Sequence, residues 1–159
     1  MEAGLYTFRQ IVVDSSYWLP LFGVEIDIDS SENVETVFSR LFDLEIDVII
    51  NDLTPIEAFG KASRLAEKGG NEEGYELAIQ GFYDLASDDR IKRVSSTDLG
   101  VFKQALLLRR AHNDLFDCFI FGTAMYLKAT LLTEDRFAHK EIRSIEIFRW
   151  KDLKKALQV

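Results

Sequence analysis

Ile11-Val12-Val13-Asp14-Ser15-Ser16 is the stretch on which the reading of this chain turns. Three β-branched residues in succession suit a strand buried on both faces, because a half-exposed strand alternates apolar with polar residues. The run stops at a carboxylate and two hydroxyls, so the strand expected over residues 7–13 carries an acid at its carboxyl end. Similar apolar runs follow. Ile46 to Ile50 reads as a second strand and Ile91 to Ser95 as a third. Thr130 to Thr133 reads as a fourth, ending at Glu134-Asp135, and Ser144 to Arg149 as a fifth.

Helical patterns alternate with these runs. Val34, Val37, Phe38 and Leu41 recur at helical spacing and predict a helix from Ser31 or Glu32 to Leu44. Thr54-Pro55-Ile56-Glu57 reads as a helix start, with Thr54 as cap, Pro55 at the first helical position and Glu57 closing a capping box. That helix is expected to run to Lys68 and stop at Gly69-Gly70. Further helices are expected over Glu72–Ala86 (apolar stripe Tyr75, Leu77, Ala78, Phe82, Leu85), Asp98–Ala111, Asp114–Lys128 and Asp152–Leu157. Strands alternating with helices predict an α/β fold in three layers, α/β/α, around a central, mostly parallel sheet of four or five strands. At 159 residues the chain reads as one domain over 1–159, large enough to bury roughly 70% of its unfolded surface.

The net charge of −8 argues against a protein that coats nucleic acid generically, which would be basic. It is compatible with a nuclease, whose acidic site gains positive charge from a bound metal. Basic residues at Arg90, Lys92, Arg93, at Arg109, Arg110 and between Lys140 and Lys155 read first as solvated faces. A lone cysteine, Cys118, fits a buried small residue in a reducing cytoplasm. No apolar run approaches the length of a membrane span, and Met1-Glu2-Ala3-Gly4 does not open a signal peptide. His112 and His139 do not pair with Cys118 at a zinc-like spacing, no glycine-rich phosphate loop follows a strand, and no nucleophile elbow is present. The aromatic run Tyr17 to Phe22 reads as core or a protein-binding surface rather than a base-stacking platform.

Four acids stand where apolar stretches give way to turns or helix starts: Asp14, Glu57, Asp117 and Asp135. Each has a local explanation. Asp14 can cap the next segment, Glu57 can complete the capping box, Asp117 can face the helix dipole and Asp135 can hold a turn. Ligands of α/β sheets bind outside the carboxyl ends of the strands, and all four positions belong to that edge. Carboxylates gathered there repel by about 4 kcal/mol per pair at 4 Å and an effective dielectric near 20. Protons or cations must relieve this, and oxygen-only ligands suit Mg²⁺ or Mn²⁺.

Four blocks in order then carry a family resemblance: Ile11-Val12-Val13-Asp14-Ser15-Ser16, Leu53-Thr54-Pro55-Ile56-Glu57, Asp117-Cys118-Phe119-Ile120-Phe121-Gly122-Thr123-Ala124, and Leu131-Leu132-Thr133-Glu134-Asp135-Arg136-Phe137. The chain resembles the PIN domain, a family of Mg²⁺- or Mn²⁺-dependent nucleases. The resemblance implies that Asp14, Glu57, Asp117 and Asp135 are the catalytic, metal-binding acids, with Asp14 and Asp117 the most direct ligands. Ser15, Ser16 and Thr133 would hold those carboxylates or contact phosphate, while Asp114 reads as a cap. It further implies a cytoplasmic endoribonuclease acting on single-stranded RNA through metal-activated water. It points as well to a VapC-like toxin paired with an antitoxin, and to a homodimer. The alternative is a PIN-like module that binds or assembles without catalysis. Arg149-Trp150-Lys151 has no role in this reading.

Overall fold

The computed structural model describes residues 8–28 and 34–158. Five strands form one sheet: β1 (Gln10–Val13), β2 (Asp47–Asn51), β3 (Ile91–Val94), β4 (Thr130–Leu132) and β5 (Ile147–Phe148). All pairs are parallel, in the order β3-β2-β1-β4-β5. The order reverses at β1, where the chain leaves toward β2 and returns later at β4. Such a switch point opens a crevice at the carboxyl edge of an open α/β sheet.

The side chains of β1 explain why the run Ile11-Val12-Val13 is uninterrupted. Ile11 and Val13 enter one hydrophobic core, and Val12 enters the other. The first core is closed by α1 (Val34–Asp43), α2 (Thr54–Lys68), α3 (Glu72–Ser87) and α7 (Trp150–Leu157), through residues such as Leu41, Ala58, Leu85 and Leu153. The second is closed by α4 (Leu99–Arg109), α5 (Leu115–Leu127) and α6 (Arg136–Glu141), through Ala105, Phe121 and Ala138. The three-layer α/β/α expectation holds.

Several details differ from the sequence reading. The aromatic run is a 3₁₀ helix, Ser15–Phe22, with Tyr17, Trp18 and Phe22 buried. In α3 the core face is Ala78, Gly81 and Leu85, whereas Tyr75 and Leu77 stand exposed. Their stripe fits a helix amphipathic toward one neighbour, but at Gly81 the neighbour comes so close that no side chain fits. Four strands are shorter than expected, β2 keeps its length but is shifted by one residue, and α6 was not anticipated. Thr7, Ser31 and Glu32, which the expected elements included, lie outside the described residues.

Gly81 marks that close approach. A Cβ there would fall 2.6 Å from the carbonyl oxygen of Leu21 and 2.8 Å from Cα of Phe22. Gly-to-Ala in a helix interior normally stabilises, by about 1 kcal/mol. Here the sign is expected to reverse: Gly81→Ala should cost about 1–3 kcal/mol by overpacking, read as a lower thermal midpoint.

Candidate metal centre

Asp14 leaves β1 at the switch point, its backbone N–H still donating to the Leu132 carbonyl of β4 at 3.0 Å. It is the N-cap of the 3₁₀ helix: Oδ1 accepts from the Ser15 backbone N–H at 2.7 Å. Oδ2 accepts from the Thr133 hydroxyl at 2.7 Å, and Thr133 in turn accepts from the Asp135 N–H at 3.1 Å. The carboxylate is only 6% exposed. Burial pushes its pKa up to about 7, partly offset by the Thr133 hydrogen bond, with the charges of Asp117 and Glu57 adding to the rise.

Glu57 arrives from the first turn of α2, and here the capping-box expectation is overturned. Leu53, not Thr54, is the N-cap, and it makes no side-chain cap hydrogen bond. The Thr54 hydroxyl is buried without a partner. The Glu57 carboxylate has instead turned into the crevice, where it is 6% exposed. Its Oε1 pairs with Lys61 Nζ at 2.7 Å, and its Oε2 is buried with no hydrogen-bond partner. An unpaired carboxylate oxygen away from water is costly, and a cation is its natural complement.

Asp117 lies in the first turn of α5, capped by Asp114, whose Oδ1 accepts from the N–H groups of Phe116 and Asp117. Because α5 runs against the strands, its N-terminus returns to the carboxyl edge. Burial raises the Asp117 pKa, the His112 hydrogen bond lowers it in part, and the charges of Asp114 and Glu57 add to the rise. His112 Nε2 sits 2.9 Å from Asp117 Oδ2, and its ring stacks on Phe137 of α6 with centroids 4.4 Å apart.

Asp14, Glu57 and Asp117 each offer one oxygen within 4.8 Å of the other two. Asp135 lies beside them rather than among them: it caps α6 by accepting from the Ala138 N–H, and it groups with Asp117 and His112 within the same distance. The donor set is all oxygen, with Asp14 and Glu57 buried, Asp117 partly buried and one oxygen unpartnered, and it fits a hard divalent cation. Holding Asp14 in place falls to Thr133, so Thr133→Val is expected to weaken Mn²⁺ affinity about 10–100-fold while leaving the fold intact, measured by calorimetric titration.

Sequence reasoning missed three residues of this region. Lys61, one turn beyond Glu57, was readable as an i,i+4 pair. Asn51, at the end of β2, donates to the Thr123 hydroxyl at 3.0 Å and so ties the sheet to α5. His112 was weighed only as a zinc ligand. The basic cluster at Arg90, Lys92 and Arg93 is spent locally: Arg90 pairs with Asp88, Lys92 with Asp47, and Arg93 donates to the Ala86 carbonyl.

The family model of the PIN domain matches residues 11–142. The chain belongs to the PIN domain family. The matched span begins inside β1 and ends just past α6, so Asp14, Glu57, Asp117 and Asp135 all fall within it. Among solved structures, the chain is similar to VapBC2 from Rickettsia felis, crystallised bound to a DNA fragment from their promoter. The TM-score is 0.59 at 14% identity, over 89% of this chain and 98% of that one. It is also similar to VapC20 of Mycobacterium tuberculosis, described as a sarcin–ricin loop cleaving toxin, with TM-score 0.56 and 14% identity over 85% of this chain and 98% of that one. At that identity the likeness is one of fold. No curated protein matches the sequence significantly. Among the described residues, no helix is long and apolar enough to cross a membrane.

Proposed function

We propose that this PIN domain is a Mg²⁺- or Mn²⁺-dependent endoribonuclease that hydrolyses single-stranded RNA, acting as one domain over 1–159. The observation that carries the reading is the Asp14–Glu57–Asp117 group, two of its three acids buried, with Glu57 Oε2 unpaired. Three segments far apart in sequence have brought carboxylates together where each alone would be better solvated. Asp14, Glu57 and Asp117 would hold the cation, and Asp135 would take part from the adjoining His112 group.

A bound divalent ion supplies Lewis-acid polarisation of the phosphate and lowers the pKa of water. The chain's own residues fix where this happens. Ser15 and Thr133 hold both oxygens of Asp14, so that carboxylate is pre-aimed. His112 holds one oxygen of Asp117 and leaves the other free of it. Preset carboxylates need little reorganisation when charge builds up on phosphorus oxygens. Water attacks in line, and no side chain forms a covalent bond to the substrate.

The fold likeness to VapC proteins supports the further reading of a toxin held by a VapB-like antitoxin; a cytoplasmic homodimer is part of the same proposal. Incubating purified protein with single-stranded RNA and Mn²⁺ tests the activity. Cleavage is expected, with loss on chelation and a drop of at least about 100-fold in Asp117→Asn, since even residues behind a ligand are worth 10–100-fold. Undiminished cleavage by that variant would sink the site assignment.

A further inference from the structure

Lys61 has no place in the acid pattern, yet it reaches the centre of it. Its ammonium lies 2.7 Å from Glu57 Oε1 and donates to the Ser15 hydroxyl at 3.0 Å. Ser15 follows Asp14 directly, so the ammonium joins the α2 side of the site to the β1 side. We propose that Lys61 is the fixed second cation of this carboxylate centre, so that the protein binds a single divalent ion. The proposal rests on the metal-site reading above and concerns how many ions the site takes.

Glu57 shows how the two cations divide the site. One of its oxygens is committed to the ammonium, and the other is buried with no partner. A carboxylate split in this way bridges a lysine and one ion, where in a two-ion centre it would bridge two ions. Charge points the same way. Asp14, Glu57 and Asp117 with one ammonium leave two negative charges, which one divalent cation neutralises. Asp135, in the adjoining His112 group, adds one more negative charge, and a second ion would still leave the centre net positive before any phosphate arrived.

Geometry holds the ammonium in place, because it is anchored on both Glu57 Oε1 and the Ser15 hydroxyl. The Lys61 side chain remains 38% exposed, so this part of the site is open to solvent. A fixed ammonium can then meet phosphate charge that a second ion would otherwise meet.

Mn²⁺ titration of the full chain, followed by electron paramagnetic resonance and calorimetry, tests this. The wild-type protein is expected to bind one Mn²⁺. Lys61→Met keeps the stem but removes the charge, and is expected to bind the first Mn²⁺ at least about 10-fold more tightly and to take up a second. Lys61→Arg keeps the charge and should retain the single ion, which separates charge from packing. Two ions in the wild type, or Lys61→Met matching the wild type in both number and affinity, would overturn the proposal and leave the metal site standing. Absence of Mn²⁺ binding in the wild type, or full binding in Asp14→Asn, would overturn the site itself.

Discussion

Asp14→Asn is expected to abolish RNA cleavage while raising the thermal midpoint of the metal-free protein at neutral pH. The two effects have one cause. Asp14 is buried beside two other acids, which lifts its folded pKa from 3.8 to about 7. Between those values the folded state holds a proton that the unfolded chain has released. Linkage then makes stability fall as pH rises from about 4 to about 7, and the loss persists above that. A shift of this size corresponds to a few kcal/mol at most, about 1.4 per unit. Asparagine cannot ionise, and the Thr133 hydroxyl can rotate to accept from its amide, so the strain disappears. The variant should show a flatter midpoint-versus-pH curve over that interval than the wild type. A variant that is less stable at every pH would mean that the Asp14 charge does not burden the fold. Cleavage should meanwhile drop by at least about 100-fold, because the variant has lost the best-buttressed oxygen pair in the site.

The second large effect is stabilisation by the ion. A ligand that binds only the folded state stabilises by mass action, about 2.7 kcal/mol at a concentration 100 times Kd. For a chain of this size that is roughly 5–10 °C in thermal midpoint. Mn²⁺ at such a concentration should raise the wild-type midpoint by this amount at pH 7.5. The rise should shrink toward pH 5, where protonated Asp14 competes with the ion. Asp14→Asn and Asp117→Asn should respond little at either pH. An equal rise in these variants would place the ion elsewhere.

The fold was readable because its cause is local. The unbroken run Ile11-Val12-Val13 occurs where both faces of β1 meet helices, and the acid after it falls at the edge where the sheet reverses direction. Asp114 serves as a cap, as its position suggested, while Asp135, read as a turn residue, caps the unanticipated α6. The capping box at Thr54–Glu57 was a misreading for an instructive reason. Thr-Pro-x-Glu has the letters of a capping box, but the box needs the Glu side chain to fold back, and here the charge of Lys61 draws it forward. The 3₁₀ helix from Ser15 to Phe22 was not legible because its aromatic side chains answer to partners distant in sequence. Tyr17 stacks on Trp150, and its hydroxyl donates to Glu134, which also accepts from the Trp150 N–H. That contact gives Trp150 the role its sequence context did not. His112 escaped notice likewise, since its stacking partner Phe137 belongs to a helix too short to show a pattern.

The central claim is that Asp14, Glu57 and Asp117 together hold a divalent cation. A crystal grown with Mn²⁺ and measured at its absorption edge tests this most directly. The account predicts one anomalous peak among these three carboxylates, with Glu57 Oε2 on the ion and Oε1 still on Lys61. A centre without a peak, or a peak held only by His112 and Asp135, would contradict it.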